Sequence, residues 1–229
     1  YTMMLEADGT LVFGTGPANS SSACDYLSST DTIEFDRWTH VAFEIDQDAG
    51  TKTIWVDGEV FETCSGLQNK NPVANGALAI GVNKWSGGYN LPFVGEIDEV
   101  RVSSSLRYTA PFTPEVYPES DANTALLYHF DEGDGIEFGD SSPNNLSATL
   151  ISNPSSGWSN SSSCNATHLL SERCASLDFT TTDGTVQIGS SDLNIGTAEV
   201  QRTIEAWFMP DPHLPNNGMI LVKGPSGTT

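Results

Sequence analysis

Polar and apolar residues alternate along much of this chain. Between residues 38 and 46, Val41, Phe43 and Ile45 fall on one side and His40, Ala42 and Glu44 on the other. That period of two predicts a strand with one buried face. Residues 202–209 repeat it, with Ile204, Ala206 and Phe208 on one face. Two hairpins are predicted over Asp-Gly pairs, which tolerate the positive φ angles of tight turns. One spans residues 3–13 around Asp8 and Gly9, the other residues 51–63 around Asp57 and Gly58. Short apolar runs at 77–82, 93–103, 125–131 and 219–223, with two more within 175–188 around Asp183 and Gly184, read as further strands. About a dozen short strands separated by turn signals predict an all-β fold, a two-sheet antiparallel sandwich. Residues 109–123 hold Pro111, Pro114 and Pro118 with few apolar positions and read as a linker or extended connection. Residues 152–174 read as a Ser/Asn-rich loop.

Several of these segments together resemble the laminin-G-like family of the concanavalin A-like superfamily. The family's opening strand resembles LLYHFDEGDG at 126–135, followed by the polar turn Asp140, Ser141, Ser142, Pro143, Asn144 and Asn145. Its next block resembles ASLDF at 175–179 and GTVQI at 184–188, and its central strand TIEAWF at 203–208 with ILVKG at 220–224. Its later strands resemble RWTHVA at 37–42 and IWVDG at 54–58, and its closing strand GEIDEVRV at 95–102. The resemblance implies a concanavalin A-like jelly-roll sandwich and covers most of the chain.

The order departs from the family. Here the closing half, 1–108, precedes the opening half, 124–229, with the Pro-rich 109–123 between them. Reading 124–229 and then 1–108 makes one complete module in permuted order. A half-sandwich alone leaves open strand edges and an open core. The missing half must come from the same chain, from a covalent tandem neighbour, or from another copy in a head-to-tail contact that grows into a filament. The expectation is therefore a structural subunit of an extracellular filament or surface array, with copies of itself as partners. The alternative is a carbohydrate- or protein-binding lectin-like adhesion module.

Composition narrows the partners. Lys and Arg total 9 against 30 Asp and Glu, a formal charge of −21. Such a field repels nucleic acid and anionic membrane surfaces, and attracts divalent cations. An even set of cysteines, Cys24, Cys64, Cys164 and Cys174, suits disulfides in an oxidising compartment. Three connectivities exist; local spacing favours Cys164 with Cys174, leaving Cys24 with Cys64. Glycosylation sequons start at Asn19, Asn145, Asn160 and Asn165. These features predict a secreted or cell-surface glycoprotein.

Candidate chemistry is sparse. Glu96, Asp98 and Glu99 invite comparison with the paired carboxylates of glycosidases of this sandwich type. Strict alternation sets Glu96 and Asp98 on one face and Glu99 on the other, and position 100 is Val100 rather than a second carboxylate. The expectation is a non-catalytic protein. The laminin-G-like resemblance implies a structural calcium, with Asp131, Asp134 and Asp140 in the opening block and Asp98 beside them as candidate oxygen ligands. Trp85 and Tyr89, in a Gly-rich loop, are candidates for stacking on a glycan, or else pack against the neighbouring loop.

Overall fold

A computed structural model describes residues 1–15, 22–68, 78–85, 88–151, 157–159, 175–179, 185–188, 201–213 and 217–223. The front half contributes β1 (Thr2–Leu5), β2 (Thr10–Gly14), a 3-10 turn (Ala23–Asp25), β3 (Tyr26–Thr32), β4 (Thr39–Asp46), β5 (Thr51–Val56), β6 (Glu59–Ser65), β7 (Leu78–Ile80), β8 (Asn83–Trp85), β9 (Gly88–Asn90) and β10 (Gly95–Ser103). The back half contributes β11 (Thr124–Tyr128), β12 (Glu137–Phe138), β13 (Ala148–Ile151), β14 (Trp158–Ser159), β15 (Ser176–Asp178), β16 (Thr185–Ile188), β17 (Gln201–Pro210) and β18 (Gly218–Lys223).

These strands form two large antiparallel sheets packed as a sandwich. The first runs β12-β13-β16-β7-β18-β1-β2-β3, and the second β14-β15-β10-β17-β4-β5-β6, with β11 also pairing with β10. β8 and β9 pair as a separate two-stranded ribbon. Both predicted hairpins are present. Gly9 takes φ 94° in the first, where a Cβ would meet the Ile33 carbonyl oxygen at 2.8 Å.

The two halves of the sequence interleave rather than lying side by side. From the back half, β18 inserts between β7 and β1, and β17 between β10 and β4. Thr2 pairs with Val222 and Leu5 with Gly218, and the Tyr1 amine donates to the Lys223 carbonyl at 2.8 Å. Strands of both halves therefore share each of the two large sheets. The main apolar core draws on both halves at once: Phe13, Phe43, Ile54 and Ile97 meet Leu126, Tyr128, Ile204, Phe208 and Leu221. Burying each such side chain contributes roughly 1.5–3 kcal/mol, so separating the halves would sacrifice most of the core.

Some strands are invisible in the sequence pattern for a physical reason. β3 reads YLSSTDT, a composition usual for a loop, yet it forms the sheet edge, where Leu27 alone of its side chains joins the core. Polar edge strands are tolerated because they discourage further pairing. The two runs around Gly184 are strands, but they belong to opposite sheets, β15 to the second and β16 to the first.

Cys24 and Cys64 form a disulfide between the 3-10 turn and β6, linking the edges of the two sheets. Closing a loop of this size stabilises by about 4 kcal/mol in the chain-entropy picture. Beside it Lys52 is buried, its amine donating to the carbonyls of Phe13 at 2.9 Å and Asp25 at 3.0 Å. Burial lowers the Lys52 pKa to about 7, and Asp25 partly offsets the fall. Cys164 and Cys174 lie outside the described residues.

Candidate functional site

The outer face of the second sheet, opposite the core, carries most of the buried charge. On β10, Ile97, Val100 and Val102 join the core. Asp98 pairs with Trp207 and Arg101 with Glu205, so Glu99 and Val100 share one step of the ladder. Glu99 sits at φ 52°, making a bulge that flips the alternation. The expectation that Glu99 points away from Glu96 and Asp98 is thereby corrected: the extra residue restores Val100 to the core and leaves Glu99 beside Asp98 on the outer side.

In the middle of this face sits Glu205, 2% exposed. Its Oε1 accepts from Arg101 Nε at 2.6 Å, its Oε2 lies 3.2 Å from His40 Nε2, and the Tyr108 hydroxyl donates to it. Burial alone would raise its pKa; the hydrogen bond with His40 and the charge of Arg101 outweigh it and hold the group at about 2. Neighbouring Glu44 is equally committed. Its Oε1 accepts the backbone amides of Arg107 at 2.8 Å and Tyr108 at 3.0 Å and the Thr203 hydroxyl at 2.7 Å. Its Oε2 accepts Trp55 Nε1 at 2.9 Å.

These bonds fasten the connection between the halves across the sheet. Residues 109–123 carry neither helix nor strand, yet they form a strap rather than a free tether. Tyr108 and Phe112 stack with ring centroids 3.5 Å apart, and Phe112 packs edge-on against Trp55 and His40. The Phe112 amide donates to Gly58 O at 3.0 Å, where a Cβ on Gly58 would lie only 1.8 Å from the Phe112 carbonyl oxygen. Arg107 forks onto Asp121 with bonds of 2.9 and 3.1 Å, and Trp207 Nε1 donates to Glu115 O at 3.0 Å.

On one flank of the strap an open cleft of about 310 Å³ remains. Asp46, Thr51, Thr53 and Thr63 on β4, β5 and β6 line it together with Trp55, Val60 and Tyr108. Val60 is half exposed, an apolar side chain facing water. The face of β5 that Thr51, Thr53 and Trp55 share was readable as alternation, but nothing in the sequence marks it as one wall of a cleft completed by the strap.

On the other flank lies an uncompensated acidic group. Asp98 is 7% exposed. Burial drives its pKa well above the ordinary carboxylate range, and the nearby charges of Glu99, Asp131 and Glu96 push the same way, against a hydrogen bond from the Glu99 amide. Glu96 accepts the Ser176 hydroxyl, and Glu99 Oε2 lies 2.6 Å from His129 Nδ1. The His129 ring stacks on Tyr117 at 4.0 Å.

The four aspartates expected to bind calcium are not gathered at one point. Asp98 and Asp131 interact. Asp140 is instead a structural knot, its Oδ1 accepting the amides of Leu127 and Ser142 and its Oδ2 the Leu146 amide and the Ser142 hydroxyl. Asp134 is exposed on a loop. Among the described residues no three Asp, Glu, His or Cys side chains are arranged to hold a metal ion. Asn145 is exposed, at φ 51°, whereas Asn19, Asn160 and Asn165 lie outside the described residues. Trp85 and Tyr89 fall on the β8–β9 ribbon, and their side chains lie outside what is described.

Residues 1–110 match a laminin-G family model described as the concanavalin A-like lectin/glucanases superfamily. The all-β sandwich of the described residues is consistent with the concanavalin A-like fold of that model. No curated protein and no solved structure matches the chain.

Proposed function

We propose that the chain works outside the cell as a non-catalytic, lectin-like adhesion module, folded as a single permuted sandwich. The observation that carries the reading is the outer face of the second sheet, where a strap fixed by buried hydrogen bonds leaves a formed, open cleft. A cross-sheet disulfide and an exposed sequon at Asn145 support an oxidising, glycan-adding route. The non-catalytic part rests on where the carboxylates are spent. Glu44 and Glu205 are saturated with internal donors, Glu96 accepts the Ser176 hydroxyl, and Glu99 lies against His129. The test is a binding screen of the purified chain against a glycan array and a panel of matrix proteins. Retention of glycans or matrix proteins is expected; absence of binding to both would remove the reading.

The head-to-tail filament is the competing arrangement, in which the same β18–β1 and β17–β4 pairings form between copies. Open edges drive such growth, and the intramolecular pairing of Tyr1 with Lys223 satisfies them within one chain. The strap must also unfasten from Glu44 and Gly58 before the halves part. Light scattering is expected to give a monomer; polymers of the intact chain would favour the filament.

A further inference from the structure

We propose that the cleft beside the strap receives an arginine side chain of a basic partner protein. This rests on the adhesion-module reading and names that module's partner by its charge and its contact residues.

Charge decides the class. Glu44 and Asp46 stand two residues apart on β4, and both line the cleft. Every hydrogen bond that holds them comes from a neutral donor. Glu44 takes the amides of Arg107 and Tyr108, the Thr203 hydroxyl and Trp55 Nε1. Asp46 takes the Ala49 amide at 2.8 Å and Gln201 Nε2 at 3.0 Å. Among the described residues neither carboxylate pairs with a cation, whereas Glu205 and Asp121 each pair with an arginine. Lys52 is the cationic residue of the lining, and its amine is turned into the sandwich onto the Phe13 and Asp25 carbonyls. Two carboxylates thus border one cleft without a countercharge among the described residues, in a chain of net charge −21. Such a site draws cations.

Geometry decides the group. Each Asp46 oxygen accepts one donor and keeps a lone pair, and a planar guanidinium meets two such oxygens with parallel N–H bonds. A lysine ammonium is a point charge without that fork. The hydroxyls of Thr51 and Thr53 line the cleft and make no hydrogen bond among the described residues, so they can accept the remaining guanidinium hydrogens. Phe112 stacks on one side of the Tyr108 ring and is not part of the lining, whereas Tyr108 is. The Tyr108 surface left to the cleft is one on which a guanidinium stacks. Tyr108 is held by Glu205 and Phe112, so this wall is formed before a partner arrives.

Size and setting decide the source. About 310 Å³, at the small end of ligand pockets, admits one long side chain rather than a folded element. β6 is the last strand of its sheet, and Val60 on it is half exposed, an apolar lip for the residues that flank the arginine in a partner. A free amine has nothing to place there. A second copy of this chain, with 30 acidic residues against 9 basic ones, is repelled.

The experiment titrates the full chain with fluorescein-labelled peptides of alternating Gly and Arg, Gly and Lys, or Gly and Glu, read by anisotropy. Two variants lose the same single charge, Asp46→Asn in the cleft and Asp134→Asn on an exposed loop. Asparagine keeps the oxygen that accepts the Ala49 amide, and the melting temperature is the folding control. The Arg peptide is expected to bind several-fold more tightly than the Lys peptide, and the Glu peptide not to bind. Asp46→Asn is expected to weaken the Arg peptide about tenfold or more, and Asp134→Asn less than about twofold. Val60→Lys sets a cation at the mouth on a half-exposed side chain and should match Asp46→Asn, which decides the matter if Asp46→Asn melts early. Equal losses in the two Asn variants would reduce the binding to net charge and overturn the site, leaving the adhesion reading in place. Arg and Lys peptides bound alike would overturn the guanidinium, and free arginine amide bound as tightly as the peptide would overturn the protein source. Glycans or matrix proteins retained without any peptide binding would overturn this partner class alone; binding of nothing would end both.

Discussion

Two carboxylates on neighbouring strands of the same sheet face, Glu205 on β17 and Asp98 on β10, are buried to nearly the same degree and titrate in opposite directions. Glu205 is 2% exposed and held at about pKa 2; Asp98 is 7% exposed and raised well above the usual range. Burial works against the charge in both. The difference is the company. Arg101, His40 and the Tyr108 hydroxyl converge on Glu205, whereas Asp98 faces Glu99, Asp131 and Glu96. One end of the face is thus a compensated network that clamps the strap, and the other stores repulsion.

The sharpest way to break this contrast is to remove the countercharge. Arg101→Met leaves Glu205 buried without its principal cation and is expected to cost about 3–5 kcal/mol in urea unfolding. Acid titration should separate the two groups next. The depressed Glu205 contributes stability that is full above the unfolded pKa near 4.5 and lost as pH falls towards 2, about 3 kcal/mol in all. The raised Asp98 has the opposite sign: its contribution is full below its unfolded pKa and fades as pH rises through the folded value. Stability measured by chemical denaturation should therefore climb on mild acidification from neutral pH before it collapses. Asp98→Asn should abolish that climb and stabilise the protein at neutral pH by on the order of 1 kcal/mol. The smallest effect concerns calcium. With no ligand set among the described residues, chelation should leave the melting temperature of the wild type unchanged. A fall on chelation that disappears in Asp98→Asn would mean that a cation binds beside Asp98.

Much of the sandwich could be read from alternation alone. The core faces of β4 and β17 and both hairpins follow from spacing and turn chemistry, and Cys24 with Cys64 is the pair left over once Cys164 is set with Cys174. Three features could not be read this way. A one-residue bulge at Glu99 inverts the face assignment beyond it, and nothing local distinguishes that Glu from its neighbours. The polar edge strand β3 looks like loop because its stability comes from pairing with β2. The Pro-rich segment looks like a tether because the groups that hold it, Glu44, Gly58 and Thr203, are distant in the chain. The buried pair does leave a trace in the sequence: Glu205 lies between Ile204 and Ala206 and Arg101 between Val100 and Val102, and charges so flanked are seldom buried unless paired.

Local chemistry determined by itself that this chain is a twisted pair of sheets with a negative surface, because alternation, turns and charge act over a few residues. Tertiary structure alone decided how the two halves interleave, where the strap lies and which carboxylates meet a countercharge. Each of those depends on groups brought together from opposite ends of the sequence, and Coulomb energy and desolvation at such a meeting point depend on geometry that no short window contains.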